Sequence, residues 1–483
     1  MTNTNRRKFL SRAAAGGLGL LAGSQADADA APAGKPNIIF IVADDLGYRD
    51  VGCYGQDKIR TPNIDRLAAD GMRFTDAYSG CTVCAPSRSV LMTGLHMGHT
   101  PIRGNGMGSL LPDEVTVAEV LKRAGYATGG FGKWGLGEEP GQPGVPNKKG
   151  FDRFFGYLNQ AHAHFYYPEY LYLNEERYPL PGNSNGRRTT YSHDVIAGKA
   201  LEFIRENKGR PFFCYAPFTI PHWELLVPED SLAEYRGKFE ERAFIDPRNH
   251  YARQDESHAA YAAMITRMDR DIGRMLSLVR ELGLDRNTIV FFTSDNGPAL
   301  PIRGDDYFRS KGPLRGHKED FYEGGIRVPM IARWPGRIPA GKVSGLPWSF
   351  CDVMPTLAEL AGAEAPRRID GVSVIPTLLG GRRQTEHEYL YWELLRSAPG
   401  NRWAYRNETP AQALRMGEWK AVRNKAEAPL ELYNLAEDIG ETRDLAAKNP
   451  RVLARIQELL KAAHTQPRPP LPFKDSWRTT SAA

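Results

Sequence analysis

The stretch Cys84-Ala85-Pro86-Ser87-Arg88, continuing as Ser89-Val90-Leu91-Met92-Thr93-Gly94, brings a thiol, a proline, a hydroxyl and a guanidinium close together. The run from Ser87 through Leu91 to Gly94 predicts a short helix closed by glycine. Pro86 would stand near its start, where a missing N–H costs nothing. Cys84 and Arg88 are then one helical turn apart, near the positive end of the helix dipole. A thiol or its derivative at that point faces backbone N–H donors and a fixed cation, which is a place to hold an anion and attack it. Taken alone, Cys84 reads instead as a small buried residue and Arg88 as a surface cation, since most free cysteines are structural.

Other segments change that reading. Asn37-Ile38-Ile39-Phe40-Ile41-Val42-Ala43 is a continuous apolar run, the pattern of a strand buried on both faces, and it ends in Asp44-Asp45. Thr288-Ile289-Val290-Phe291-Phe292-Thr293 repeats the pattern and ends in Ser294-Asp295-Asn296-Gly297. Two strand ends thus offer four oxygen ligands where open α/β sheets bind ligands, a set suited to a hard cation. A strand over Ala127–Phe131 runs into Gly132-Lys133-Trp134, and one over Phe212–Phe218 leads to Ile220-Pro221-His222-Trp223, a turn that aims His222 at the same sheet edge. Lys318 precedes the pair Gly324-Gly325, which permits close backbone approach; taken alone it reads as a solvated charge.

Helices must alternate with these strands to position them. Thr61-Pro62 predicts a capped helix with Ile64, Leu67 and Ala68 inward, and Thr116-Val117-Ala118-Glu119 is a capping box. The spacing of Tyr261, Ile265, Met268, Ile272, Met275, Leu276 and Val279 is helical. Alternation of strand and helix says α/β. Residues 138–190 are rich in Gly, Pro, Tyr and Asn and read as a long irregular stretch, functional or mobile. His162 and His164 lie within it beside Phe165-Tyr166-Tyr167, as a substrate or sugar loop or as packed structural histidines. Beyond about residue 380, short strands at 413–416 and 419–422 and a helix carrying Val452, Leu453, Ile456, Leu459 and Leu460 predict a small α+β domain.

At 483 residues, with 41% hydrophobic and 25% charged, the chain is globular and long enough for one large domain and a smaller one. The net charge of +6 is partly in the first thirty residues, and no block of five like charges follows, so nucleic acid is not implied. Eleven histidines weigh against a multi-zinc site, and five cysteines in so long a chain are no disulfide framework. Asn5-Arg6-Arg7-Lys8-Phe9-Leu10, an apolar run from Ala13 to Ala22 too short to span a membrane, and the A-x-A sites in Ala26-Asp27-Ala28-Asp29-Ala30 read as a twin-arginine signal peptide over residues 1–30.

Together these residues resemble the formylglycine-dependent sulfatases, of arylsulfatase type, over nearly the whole chain after the leader. Cys84-Ala85-Pro86-Ser87-Arg88 with Leu91, Thr93 and Gly94 is similar to the family's modification signature. Asp44-Asp45, Gly132-Lys133-Trp134, Pro221-His222, Ser294-Asp295-Asn296-Gly297 and Tyr322-Glu323-Gly324-Gly325 with Arg327 follow in the family's order, and Leu432-Tyr433-Asn434-Leu435 looks like its C-terminal domain. The resemblance implies an alkaline-phosphatase-like α/β core, a large mixed sheet flanked by helices, over residues 36–378. A smaller C-terminal α+β domain with an antiparallel sheet follows over 379–470, then a loose tail over 471–483.

The resemblance also implies a sulfuric ester hydrolase. Cys84, oxidised to formylglycine by a generating enzyme, lies at a calcium ion held by Asp44, Asp45, Asp295 and Asn296, and magnesium suits the same oxygens. Arg88 stabilises the modified residue, and Lys133, His222 and Lys318 contact the sulfate. One of the two hydroxyls of the aldehyde hydrate attacks sulfur, His222 or Lys318 protonates the leaving oxygen, and Asp295 accepts the hydrate's proton. The implied substrate is a sulfated small molecule, with the aromatic loop and the leader favouring a saccharide met outside the cytoplasm, periplasmic or extracellular, after passage through the twin-arginine machinery. Where the family has a histidine two residues past the lysine, this chain has Gly135, and His162 or His164 is the expected source of the missing imidazole. The other readings of the same site are a phosphate or phosphonate ester hydrolase on this scaffold and an inactive binding homologue.

Overall fold

The segment Asn37–Ala43 forms strand β1, and all seven of its residues are buried. In the computed structural model, which describes residues 34–468 apart from 107, 301–304, 382, 399–400 and 406–409, this strand lies at the centre of a ten-stranded sheet. Successive side chains point to opposite faces. Ile38, Phe40 and Val42 enter one hydrophobic layer, and Ile39, Ile41 and Ala43 enter the other, while the buried Asn37 at the strand's start donates from Nδ2 to Thr288 Oγ1 at 3.3 Å. The expected leader over residues 1–30 and the expected tail over 471–483 lie outside the described residues.

The other strands of this sheet are β2 (Met72–Phe74), β3 (Ala127–Lys133), β4 (Arg153–Tyr157), β5 (Tyr170–Leu173), β6 (Glu176–Pro179), β7 (Phe212–Pro217), β8 (Thr288–Ser294), β9 (Met330–Arg333) and β10 (Lys342–Ser344). Their order is β10-β2-β9-β8-β1-β7-β3-β4-β5-β6. The central strands β8, β1, β7, β3 and β4 are parallel, and β9, β5 and β6 run antiparallel to their inner neighbours. Helices cover both faces, as parallel strands require. Cys84–Thr93, Val117–Arg123 and Val353–Leu360 pack with the Ile38 layer, and Pro62–Ala69, Ser192–Glu206 and Ser257–Glu281 with the Ile39 layer.

Two local expectations are corrected. The helix at Pro62 is not capped by Thr61, whose Oγ1 instead accepts from the Gly52 N–H at 2.8 Å. The carboxylate of Asp269, from the long helix opposite, accepts from the N–H groups of Asn63 and Ile64 at 3.0 and 2.8 Å. A partner 206 positions away supplies what the local sequence was expected to supply. The stretch 138–190 is not irregular throughout: it contains β4, β5 and β6, which extend the sheet at its edge. Short strands with exposed residues, such as β6, show no apolar run to announce them. The capping box at Thr116 and Glu119 is present.

The C-terminal part is an antiparallel sheet of β11 (Leu390–Leu394), β12 (Ala411–Met416), β13 (Trp419–Arg423) and β14 (Glu431–Asn434), with the helix Pro450–Ala463 against it. Polar anchors tie it to the core. Trp392 Nε1 donates to Ser79 O at 2.9 Å, and Arg103 Nη1 meets Glu393 Oε1 at 2.7 Å. Lys420 Nζ lies 2.8 Å from Glu323 Oε1 and 2.9 Å from Glu441 Oε1, with all three side chains buried. Removing the shared cation leaves two buried carboxylates facing each other. Lys420→Met is therefore expected to cost about 3–5 kcal/mol, read as a fall in the urea unfolding midpoint; a loss below about 1 kcal/mol would contradict this account.

Candidate active site

The carboxyl ends of the parallel strands converge on one point. Ala43 of β1 is in register with Ser294 of β8, so the residues that follow each strand emerge side by side. The Asp295 N–H donates to Ala43 O at 3.0 Å, and the Asp45 N–H donates to Asp295 Oδ1 at 3.1 Å. Asp45 adopts a left-handed φ of 62°, which aspartate tolerates better than most residues. The turn brings two adjacent carboxylates to the same thiol: Cys84 Sγ lies 3.4 Å from Asp44 Oδ1 and 4.0 Å from Asp45 Oδ1.

Cys84 is the first residue of the buried helix Cys84–Thr93, whose N-cap residue Val83 offers no side-chain hydrogen bond. Asn105 Oδ1 accepts the Ala85 N–H at 3.0 Å, and Ser87 Oγ donates to Asp295 O at 2.5 Å while accepting from the Gly80 N–H at 3.0 Å. These bonds fix the helix start against the end of β8. Arg88 is not a surface cation. It is fully buried, with Nε and Nη2 3.0 and 2.8 Å from Asp295 Oδ2 and Nη1 2.6 Å from Lys133 O. Burial and the Asp44 carboxylate push the Cys84 thiol well above its ordinary pKa, so it stays protonated at neutral pH and is a poor nucleophile as it stands.

Lys133, the last residue of β3, places Nζ 2.7 Å from Asp44 Oδ2. Lys318 reaches the second carboxylate and the thiol, 2.8 Å from Asp45 Oδ2 and 3.5 Å from Cys84 Sγ. Its backbone is set by the close packing that the paired glycines allow. A Cβ at Gly297 would lie 2.0 Å from Gly324 O, the Gly297 N–H donates to Gly325 O at 3.0 Å, and the Lys318 N–H donates to Pro298 O at 3.0 Å. Burial alone would lower the pKa of both lysines, but Asp44 at Lys133 and Asp45 at Lys318 outweigh it and keep them charged. Burial would likewise raise Asp44, yet Lys133, His222, Arg88 and Lys318 hold it well below the carboxylate range. Asp295 moves the other way, up to about 6, through burial and repulsion from Asp44.

His222 follows the end of β7, with Nε2 3.5 Å from Asp45 Oδ2 and Nδ1 against the carbonyl of Trp223. Burial lowers its pKa to about 4 against the pull of Asp45, which leaves the ring neutral at pH 7. His164 stacks on it, with centroids 4.5 Å apart and planes at 19°, and its Nδ1 is 3.1 Å from Tyr251 Oη and 3.3 Å from His250 Nε2. His162 is placed elsewhere, between the rings of Tyr157 and Tyr170 at 5.0 and 4.7 Å, and the charge that bears on it is Arg177. The structure thus gathers Asp44, Asp45, Cys84, Arg88, Lys133, His222, Asp295, Asn296 and Lys318, with His164 one layer out and His162 apart. Tyr251 and His250 escaped the sequence reading because they belong to a loop without periodicity.

Ligating atoms of Asp44, Asp45, Cys84 and His222 all lie within 4.8 Å of one another. Asn296 Nδ2 donates to Asp45 Oδ1 at 2.7 Å, while Asn296 Oδ1 is buried with no hydrogen-bond partner. An orphaned amide oxygen beside three carboxylates fits a hard cation, which binds such oxygens.

Comparisons with known proteins accord with this geometry. The sulfatase family model matches residues 36–363, and that for the N-sulphoglucosamine sulphohydrolase C-terminal region matches residues 317–466. Human arylsulfatase A is 33% identical over 489 residues, covering 89% of this chain and 88% of its own. Canine N-acetylgalactosamine-6-sulfatase is 33% identical over 414 residues, covering 80% of this chain and 71% of its own. Among solved structures, Ps i-CgsB in complex with k-i-k-neocarrahexaose superposes with a TM-score of 0.76 at 30% identity, covering 92% of this chain and 97% of its own. The architecture is the alkaline-phosphatase-like fold of those sulfatases. With a family match across most of its length and relatives a third identical over four-fifths of it or more, the chain belongs to the sulfatase family and is a sulfuric ester hydrolase of arylsulfatase type.

Proposed function

We propose that this sulfatase hydrolyses sulfate esters of saccharides, using a formylglycine made from Cys84 beside a calcium ion held by Asp44, Asp45, Asp295 and Asn296. The observation that carries the reading is the environment of Cys84 Sγ, a protonated thiol at a helix start flanked by Asp44 Oδ1 at 3.4 Å and Lys318 Nζ at 3.5 Å. The charged groups are arranged for an anion, but the thiol is unsuited to attack it. When present, the hydrated aldehyde supplies a hydroxyl nucleophile and the cation supplies positive charge; magnesium offers the same chemistry.

The chain's own residues do the rest. Lys133 and Lys318 stay charged near the Cys84 position and stabilise negative charge gathering on sulfuryl oxygens. Arg88 holds Asp295 in place through two contacts to one carboxylate oxygen. His222 and Lys318 both face Asp45 Oδ2, at 3.5 and 2.8 Å, and are the groups placed to give the departing oxygen a proton. Asp295, with its raised pKa, is suited to take a proton at the nucleophile. His164 orients His222 by stacking and is itself held by Tyr251. The saccharide assignment is supported by the relative acting on N-acetylgalactosamine 6-sulfate and by the neighbour solved with a neocarrahexaose. The twin-arginine leader supports export through that machinery.

Cys84→Ala is expected to abolish sulfate release while leaving the melting temperature near that of the wild type; normal turnover would overturn the reading. Asn296→Ala is expected to weaken calcium binding about ten- to a hundredfold, measured by calorimetric titration and by the calcium-dependent rise in melting temperature. His164→Ala is expected to lower kcat about tenfold through the lost stacking on His222, whereas His162→Ala lowers thermal stability and not the kcat of the folded enzyme. The reverse order of the two variants would place the imidazole function on His162.

A further inference from the structure

Two residues past Lys133, the chain carries no side chain at Gly135, and the space beside it is already taken. Trp134, between them, turns its ring to the hydrophobic layer and packs edge-on to Phe151 at 5.6 Å, so Lys133, the last residue of the strand, points to the opposite side. Gly135 has a φ of 74°, and a Cβ built on it would lie 2.3 Å from Gln160 Oε1. Gln160 arrives from the segment after β4. The N–H groups of Trp134 and Gly135 donate to the carbonyls of Tyr157 and Leu158 at 2.9 and 3.1 Å. The Gln160 N–H donates to Glu138 Oε2 at 2.7 Å, and Asn159 Oδ1 accepts from the N–H groups of Ala161 and His162 at 2.8 and 2.9 Å.

The backbone around Gln160 is therefore pinned, yet its side chain is unmet. The residue is 7% exposed, and among the described residues neither Oε1 nor Nε2 has a hydrogen-bond partner. A buried carboxamide lacking both donor and acceptor partners is costly unless a ligand supplies them. The chemistry of the amide limits what that ligand is. A sulfuryl group carries acceptors alone and satisfies Nε2–H but not Oε1, which needs a hydroxyl or N–H donor. A sulfate on a sugar ring with a free hydroxyl next to it brings acceptor and donor together, and an aryl sulfate lacks the donor.

We propose that Gln160 is a substrate-contacting residue that sets specificity, its Nε2 donating to a sulfuryl oxygen on the Lys133 side and its Oε1 accepting from the neighbouring saccharide hydroxyl. The proposal rests on the reading of the enzyme as a saccharide sulfatase.

The test compares kcat/KM of wild type, Gln160→Ala and Gln160→Met on three probes. These are whichever of N-acetylgalactosamine 6-sulfate, galactose 6-sulfate and galactose 4-sulfate the wild type cleaves fastest, the same sugar without the hydroxyl next to the sulfate, and 4-nitrophenyl sulfate. The wild type is expected to prefer the hydroxylated sugar over its deoxy counterpart by tenfold or more, and both variants to lose that preference. Their loss is expected to be about a hundredfold on the hydroxylated sugar and about ten times smaller on the other two probes. Equal losses on all three probes mean that the amide serves packing or a buried water and overturn the proposal, as does a wild type indifferent to the hydroxyl. Should neither variant fold, that wild-type comparison decides alone. A wild type that cleaves 4-nitrophenyl sulfate and none of the sugars overturns the saccharide reading itself, a result distinct from the others.

Discussion

Asp44, Asp45 and Asp295 lie side by side out of water, where carboxylates are tolerated only beside compensating charge. They are accompanied by cations fixed from three directions: Arg88 on a helix, Lys133 at a strand end and Lys318 in a glycine-packed segment. Removing one partner from such a buried pair typically costs about 3–5 kcal/mol, because the remaining charge is stranded. This charge balance constrains the topology. The parallel strands, the helix start at Cys84 and the segment around Gly324-Gly325 have to meet at one point, since the charges of each are tolerable only where the others are present.

The C-terminal unit takes part in that constraint. The chain on either side of Lys318 is held by it: Arg315 Nη1 donates to Glu441 O at 2.7 Å, the Phe321 N–H to Asn424 Oδ1 at 2.5 Å, and Tyr322 Oη to Glu431 at 2.6 Å. Glu323 then joins the buried Lys420 and accepts from Tyr78 Oη at 2.8 Å. The smaller sheet therefore works as a brace that fixes the reach of Lys318 toward Cys84, so stability of the second unit and geometry of the site are coupled through a few residues.

The framework was legible in the sequence where physics leaves a local mark. Strands buried on both faces carry long apolar runs, so β1 and β8 announced themselves, and the carboxylates placed after them stood out. What depends on distant partners was not legible from the residues alone. Arg88 and Lys318 read as solvated charges because the carboxylates that neutralise them lie 207 and 273 positions away. Thr61 read as a cap because nothing nearby hinted that Asp269 would do that work. The edge strand β6 hid among Gly, Pro and Asn because it is exposed throughout and buries too little to need a pattern. Gly135 was visible as a departure, but its consequence lay in Gln160, which only the packing of two loops brings beside it.

All of this treats Cys84 as the precursor of the nucleophile, set where a thiol is held protonated and an oxygen nucleophile would be flanked by two lysines. The most direct test is the mass of the peptide containing residue 84 from enzyme that is turning over a sulfate ester. Replacement of the CH2–SH group by an aldehyde is the expected result, and an intact thiol in fully active enzyme would contradict the account.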